Sequence, residues 1–151
     1  MRVILQRVKS AAVTIGGGET RGIGPGLFAL FCAVEGDALP LAAKLAEKTA
    51  KLRIFEDAGG KMNLSAGELG LSALVVSNFT LAADTKKGLR PSFIAAAKPP
   101  FAEAAYDAYV GALRACALKE VKTGEFGADM RIAADCDGPV TILLDTEDWK
   151  R

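Results

Sequence analysis

The run Ser77-Asn78-Phe79-Thr80 closes the apolar stretch 74–81 with two hydroxyls and an amide within four residues. At the end of a buried strand, such side chains and the backbone amides beside them can hold a polar ligand. Thr80 has the chemistry of a nucleophile, but the chain contains no histidine to take its proton, so activation requires another base. The same hydroxyls also fit ordinary strand residues bonded to backbone. Without histidine there can be no Ser-His-Asp triad, no Cys-His pair and no His-based metal site. Reactions near neutral pH then fall to hydroxyls, carboxylates, Lys, Arg, backbone amides or the substrate itself. Cys32, Cys116 and Cys136 are widely spaced and form no C-x-x-C pair, so they read as free thiols in a reducing compartment. Neither a metal nor a cofactor is expected.

Gly138-Pro139 lies between two expected strands, where proline cannot donate to a ladder. X-Pro is also the common place for a cis peptide, which turns two carbonyls in nearly the same direction. A plain turn remains an alternative reading. Arg7 interrupts an apolar strand, and its planar fork suits a buried or interface ion pair. Lys86, Lys87 and Arg90 stand in a long basic loop, 83–100, where they fit either phosphate contacts or a solvated surface.

The elements that must position these residues follow from the pattern. Strands are expected over 3–8 and 11–15, then over 27–34, which is apolar on both faces as a central strand should be. Gly22-Ile23-Gly24-Pro25-Gly26 precedes a strand rather than a helix, so it reads as a bend and not as a phosphate loop. A helix capped by Asp37, with Pro40 in its first turn, carries Leu41, Leu45, Thr49 and Leu52 on one side. The stretch 74–81 is a second central strand. A second helix spans 101–117, and two last strands span 129–134 and 140–145. This order implies a single α/β domain over 1–151, with a curled, barrel-like mixed sheet and two main helices. The chain has 151 residues, 50% of them apolar, and a net charge of +1, which suits one sizeable core and excludes a polybasic arm. No membrane span or signal-peptide core is seen, so a cytoplasmic location is expected.

Taken in order, several segments resemble the D-aminoacyl-tRNA deacylase family. They are the opening Met1-Arg2-Val3-Ile4-Leu5-Gln6-Arg7-Val8, then Leu52-Arg53-Ile54-Phe55-Glu56-Asp57 and Gly60-Lys61-Met62-Asn63-Leu64-Ser65. Ser77-Asn78-Phe79-Thr80-Leu81 and Lys87-Gly88-Leu89-Arg90-Pro91-Ser92-Phe93 follow, with Thr123-Gly124-Glu125-Phe126-Gly127-Ala128-Asp129-Met130 and Asp137-Gly138-Pro139-Val140-Thr141 after them. The resemblance implies a homodimeric hydrolase that binds aminoacyl-tRNA, not DNA or membrane, and cleaves the ester of a D-amino acid or of mischarged glycine. It implies a cis Gly138-Pro139 that reaches into the partner's site, facing Ser77, Asn78, Phe79 and Thr80, and crowds out L side chains, with Arg7 bracing it across the interface. It implies that Ser77, Phe79 and Thr80 serve catalysis, that Asn78, Phe126 and Met130 bind substrate, and that the tRNA 2′-hydroxyl assists. An older form of the family mechanism makes the Thr80 hydroxyl the nucleophile. The chain departs from the family pattern at Asn78, usually glutamine, and at Cys136, usually asparagine. Two competing expectations are therefore kept: a related subclass that edits L-aminoacyl-tRNA, and a non-catalytic tRNA-end binding protein.

Overall fold

The computed structural model describes residues 1–149. Strand β1 (Arg2–Ile15) is the longest element of the first half, and it turns through Gly16-Gly17-Gly18 into β2 (Thr20–Ile23). After the bend at Gly24-Pro25 comes β3 (Gly26–Cys32), followed by helix α1 (Leu41–Lys51) and a small hairpin, β4 (Phe55–Glu56) with β5 (Met62–Leu64). Then come β6 (Ser72–Ser77), helix α2 (Phe101–Arg114), β7 (Val121–Thr123) and β8 (Met130–Asp145).

The main sheet runs in the order β2-β1-β3-β6-β7, with β8 paired to β1. The pairs β3–β6 and β6–β7 are parallel, whereas β1 runs antiparallel to β2, β3 and β8. The sheet curls until its ends meet through side chains: Arg21 on β2 donates to the Thr123 carbonyl at 2.9 Å, and Lys122 on β7 donates to the Gly22 carbonyl at 2.6 Å. It is a nearly closed, mixed, barrel-like sheet with two helices, as expected.

Both faces of β3 are buried. Leu27, Ala29 and Phe31 pack toward the helices, while Phe28 packs with Val8, Val13 and Val76 inside the curl. On the helix side, the fully buried Tyr109 stacks on Phe31 with ring centroids 4.9 Å apart and meets the Thr49 hydroxyl at 3.0 Å. Tyr106 donates to the Val75 carbonyl at 3.0 Å, which ties α2 to the centre of β6. Burial raises the phenol pKa of both tyrosines, Tyr106 to about 12, so both stay neutral donors.

Four expectations need correction. The segments 3–8 and 11–15 form one strand, because Lys9-Ser10 is absorbed as register shifts against β8 rather than as a turn. The segments 129–134 and 140–145 are likewise one strand, β8, and Gly138-Pro139 lies inside it. The ladder runs from Cys136↔Val8 to Thr141↔Gln6, and the Gly-Pro pair falls in the irregularity between them. An edge-strand bulge tolerates proline because no ladder donor is required there. Asp37 does not cap α1. Its carboxylate accepts the Val34 N–H at 2.7 Å and pairs with the buried Met1 ammonium at 2.6 Å, while Pro40 is the cap residue and no side chain caps the helix. The strand expected over 74–81 stops at Ser77, since Asn78 starts a 3-10 turn over Phe79–Ala82.

Candidate active site

The parallel strands β3 and β6 end side by side, with Phe31 opposite Ser77. Beyond their carboxyl ends opens a cavity of about 620 Å³, in the position where parallel sheets commonly bind ligands. One wall is Ser77, Asn78 and Phe79. Another is Phe93, Ala96, Ala97, Lys98 and Pro99 from the basic loop, with Ala102 at the start of α2. A third runs from Phe126 to Met130 and on to Ile132. Five expected site residues thus meet around one space: Ser77, Asn78, Phe79, Phe126 and Met130.

Local hydrogen bonding explains how Ser77-Asn78-Phe79-Thr80 is shaped. The Asn78 N–H donates to the Phe31 carbonyl at 2.7 Å, the last bond of the strand pair. The Asn78 side-chain oxygen then turns forward and accepts the Thr80 N–H at 3.2 Å and the Thr80 hydroxyl at 2.5 Å. An asparagine that bonds the backbone two residues on is a turn-former, which is why the strand ends here. Of the backbone amides beside this run that could hold a polar ligand, that of Thr80 is therefore engaged. The Phe79 N–H and the Ser77 hydroxyl have no hydrogen-bond partner among the described residues. The 3-10 turn is held from below by Cys32, whose thiol is 3.6 Å from the Phe79 carbonyl. Burial pushes that thiol up to about 11, so it stays protonated near neutral pH and is no nucleophile.

Phe79 is 58% exposed and meets Phe93 edge-on at 5.2 Å, so the two rings form a raised apolar lip. Lys86, Lys87 and Arg90 are all exposed in the loop between the 3-10 turn and α2, and none of them lines the cavity. The sequence reading missed the parts of the wall contributed by Phe93, Lys98 and Ile132. Phe93 and Lys98 lie in or beside stretches already singled out, the 87–93 motif and the basic loop, while Ile132 looked like an ordinary strand residue.

Arg7, Gly138 and Pro139 do not line this cavity among the described residues. They form a separate cluster on the β1–β8 ladder. The buried Arg7 donates from Nη1 to the Ile54 carbonyl at 2.8 Å and from Nε to the Asp137 carbonyl at 3.2 Å, and it pairs with the Asp137 carboxylate at 3.3 Å. Arg7 thus grips the residue before Gly138 within its own chain. The Gly138-Pro139 peptide is cis, as is Pro99-Pro100, and Gly138 has φ +127°. Both Gly138 and Pro139 are exposed. Among the described residues, no cluster of three or more His, Cys, Asp or Glu side chains is placed to hold a metal ion, and no helix is long and apolar enough to cross a membrane.

Comparison with known proteins bears on the family and the fold. A family model for D-Tyr-tRNA(Tyr) deacylase matches residues 4–145. The D-aminoacyl-tRNA deacylase of Paracoccus denitrificans (strain Pd 1222) is 51% identical over 98% of this chain and 99% of its own length. The protein of the same name from Cereibacter sphaeroides (strain ATCC 17029 / ATH 2.4.9) is 49% identical over 97% of this chain and all of its own. Among solved structures, one titled c-Myc DNA Unwinding Element Binding Protein superposes with a TM-score of 0.88 at 36% identity, covering 96% of this chain and 98% of that one. A probable eukaryotic D-amino acid tRNA deacylase shares the fold at a TM-score of 0.83 and 16% identity, over 95% of this chain and 97% of that one. With its cavity at the strand ends and its Gly-Pro bulge on β8, this chain belongs to the D-Tyr-tRNA(Tyr) deacylase family.

Proposed function

We propose that the chain hydrolyses the ester joining a D-amino acid, or mischarged glycine, to the 3′ end of tRNA, and that two copies form the working unit. The observation that carries this reading is the cavity itself, lined by Ser77 and Phe79, whose hydroxyl and N–H have no hydrogen-bond partner among the described residues, in a chain with no histidine and with the nearby Cys32 thiol held protonated. Such a site supplies positioning and an oxyanion donor rather than a base. The Phe79 N–H receives the developing charge on the ester carbonyl. The Ser77 hydroxyl and Asn78 hold the polar end of the aminoacyl group, and Phe126 and Met130 bound its side chain. The 2′-hydroxyl of the terminal ribose assists the attack, and Lys86, Lys87 and Arg90 meet the phosphates behind it.

Thr80 is assigned a positioning role. Its hydroxyl donates to an amide oxygen, which is too weak a base to draw off the proton. Thr80→Ala is expected to keep most of the hydrolytic rate on D-tyrosyl-tRNA, measured as release of labelled tyrosine with chelator in excess. Complete loss in a folded variant that still binds tRNA would instead make Thr80 the nucleophile, and a wild-type protein that releases no tyrosine would sink the hydrolase reading.

The dimer supplies the selectivity. Among the described residues, strand β8 pairs only with β1, and residues 131–136 are exposed on both faces, so a free edge of this length invites a second copy. Docked there, the partner's Gly-Pro bulge would point its carbonyls at Ser77-Asn78-Phe79-Thr80 and leave room for hydrogen or a D side chain, but not an L one. Such a protein belongs in the cytoplasm, where charged tRNA is used.

A further inference from the structure

Gly124 is a glycine that its backbone does not need. It lies outside the left-handed region, unlike the nearby Gly127 at φ +76°. What it lacks is space. A Cβ at Gly124 would overlap the Met130 thioether sulfur and would lie 3.5 Å from both the Met130 methyl and Val76 Cγ2.

The backbone around Gly124 is pinned. Its N–H donates to the Val75 carbonyl at 3.0 Å, and Arg21 Nη1 donates to the Thr123 and Gly124 carbonyls at 2.9 Å and 3.3 Å. Arg21 is itself held by both carboxylate oxygens of Glu19, at 2.8 Å and 3.0 Å. A side chain introduced at 124 therefore displaces the flexible partner, Met130, rather than the backbone. Met130 and Val76 both wall the candidate active site, so a displaced thioether has the cavity to move into.

We infer that Gly124 is a specificity-determining position: by leaving its side-chain space to the Met130 thioether, it keeps one wall of the cavity drawn back and so admits a bulky D side chain. This rests on the reading of the cavity as the aminoacyl site. Glycine, which has no side chain to place, does not depend on the withdrawn wall.

Binding of two unreactive probes tests the inference without turnover: 3′-(D-tyrosylamino)-3′-deoxyadenosine and its glycyl counterpart, titrated by calorimetry. Gly124→Ala is expected to weaken the D-tyrosyl probe by about tenfold or more, in line with pocket discrimination by a methylene or two, and to leave the glycyl probe nearly unchanged. Adding Met130→Ala to Gly124→Ala should recover part of the D-tyrosyl affinity lost in the single variant, short of the wild-type value because Met130 also bounds the side chain. The double variant also removes the overlap, so it reports even where the single variant folds poorly. With methyl-labelled methionine, the Met130 resonance should shift in Gly124→Ala while that of the buried Met1 stays put. Equal weakening of both probes, an unmoved Met130 methyl, or a loss that Met130→Ala does not relieve would overturn the inference. A wild-type protein that binds both probes yet cleaves neither ester would overturn the hydrolase reading alone.

Discussion

Arg7→Ala is expected to lower the rate on D-tyrosyl-tRNA by about two orders of magnitude, the scale on which a misplaced group of roughly an ångström acts. Arg7 is buried, and its guanidinium bonds the Ile54 and Asp137 carbonyls and the Asp137 carboxylate at once. Removing it leaves the Ile54 carbonyl without its donor and frees the residue that leads into Gly138. The unmatched groups should cost about 2–4 kcal/mol of stability, read as a lowered denaturant midpoint. A purely structural role would lower activity toward D-tyrosyl-, L-tyrosyl- and glycyl-tRNA alike. A role in holding the Gly-Pro bulge should instead let L-tyrosyl-tRNA gain relative to the D ester. Arg7→Lys keeps the charge but loses the fork, so it should recover stability better than selectivity. An Arg7→Ala protein with an unchanged D-to-L ratio would remove Arg7 from the selective machinery.

Gly138→Ala is the second large effect. At φ +127° an L side chain is strained, by about 1–3 kcal/mol, and the new Cβ would stand 2.8 Å from both Val140 N and Val140 Cγ2 and 3.4 Å from Arg7 Nη2. The bulge must move, and because it sits on an exposed edge strand it can do so without disturbing the core. The expected result is a folded protein with about a hundredfold lower rate on the D ester and a narrowed D-to-L ratio. Mixed with a variant altered only at the opposite site, such as Phe79→Ala, it should regain part of its activity, because a mixed dimer retains one site with both halves intact. Full activity of the homogeneous Gly138→Ala protein would refute the placement of this bulge at the substrate. Failure of the mixture to regain activity would place filter and cavity in the same chain.

Much of this architecture was legible in the residues. The unbroken apolar run of β3 signalled a central strand because both of its faces are covered. The amphipathic spacing of Leu41, Leu45 and Thr49 signalled a helix on the sheet. Where the reading failed, local chemistry had two solutions and long-range pairing chose between them. Asp137-Gly138-Pro139 has turn composition, yet β1 continues past it on the other side of the ladder, and a bulge keeps β8 whole. Asp37 has the composition of a helix cap, but the Met1 ammonium, brought near by β1, claims its carboxylate. Asn78 could be expected at the site, yet nothing local showed that it would occupy the Thr80 amide and leave the Phe79 amide as the free donor. Lys98 joins the cavity only because the loop folds back so that Ala96 bridges Val34.

Chiral selection by hydrolysis is tested most directly by offering the purified protein D-tyrosyl-, L-tyrosyl- and glycyl-tRNA in parallel, with chelator present. Rapid release from the D and glycyl esters is expected, with an L ester that survives on the same timescale. Cleavage of the L ester at a comparable rate would contradict chiral selection and would direct attention to Asn78 and Cys136.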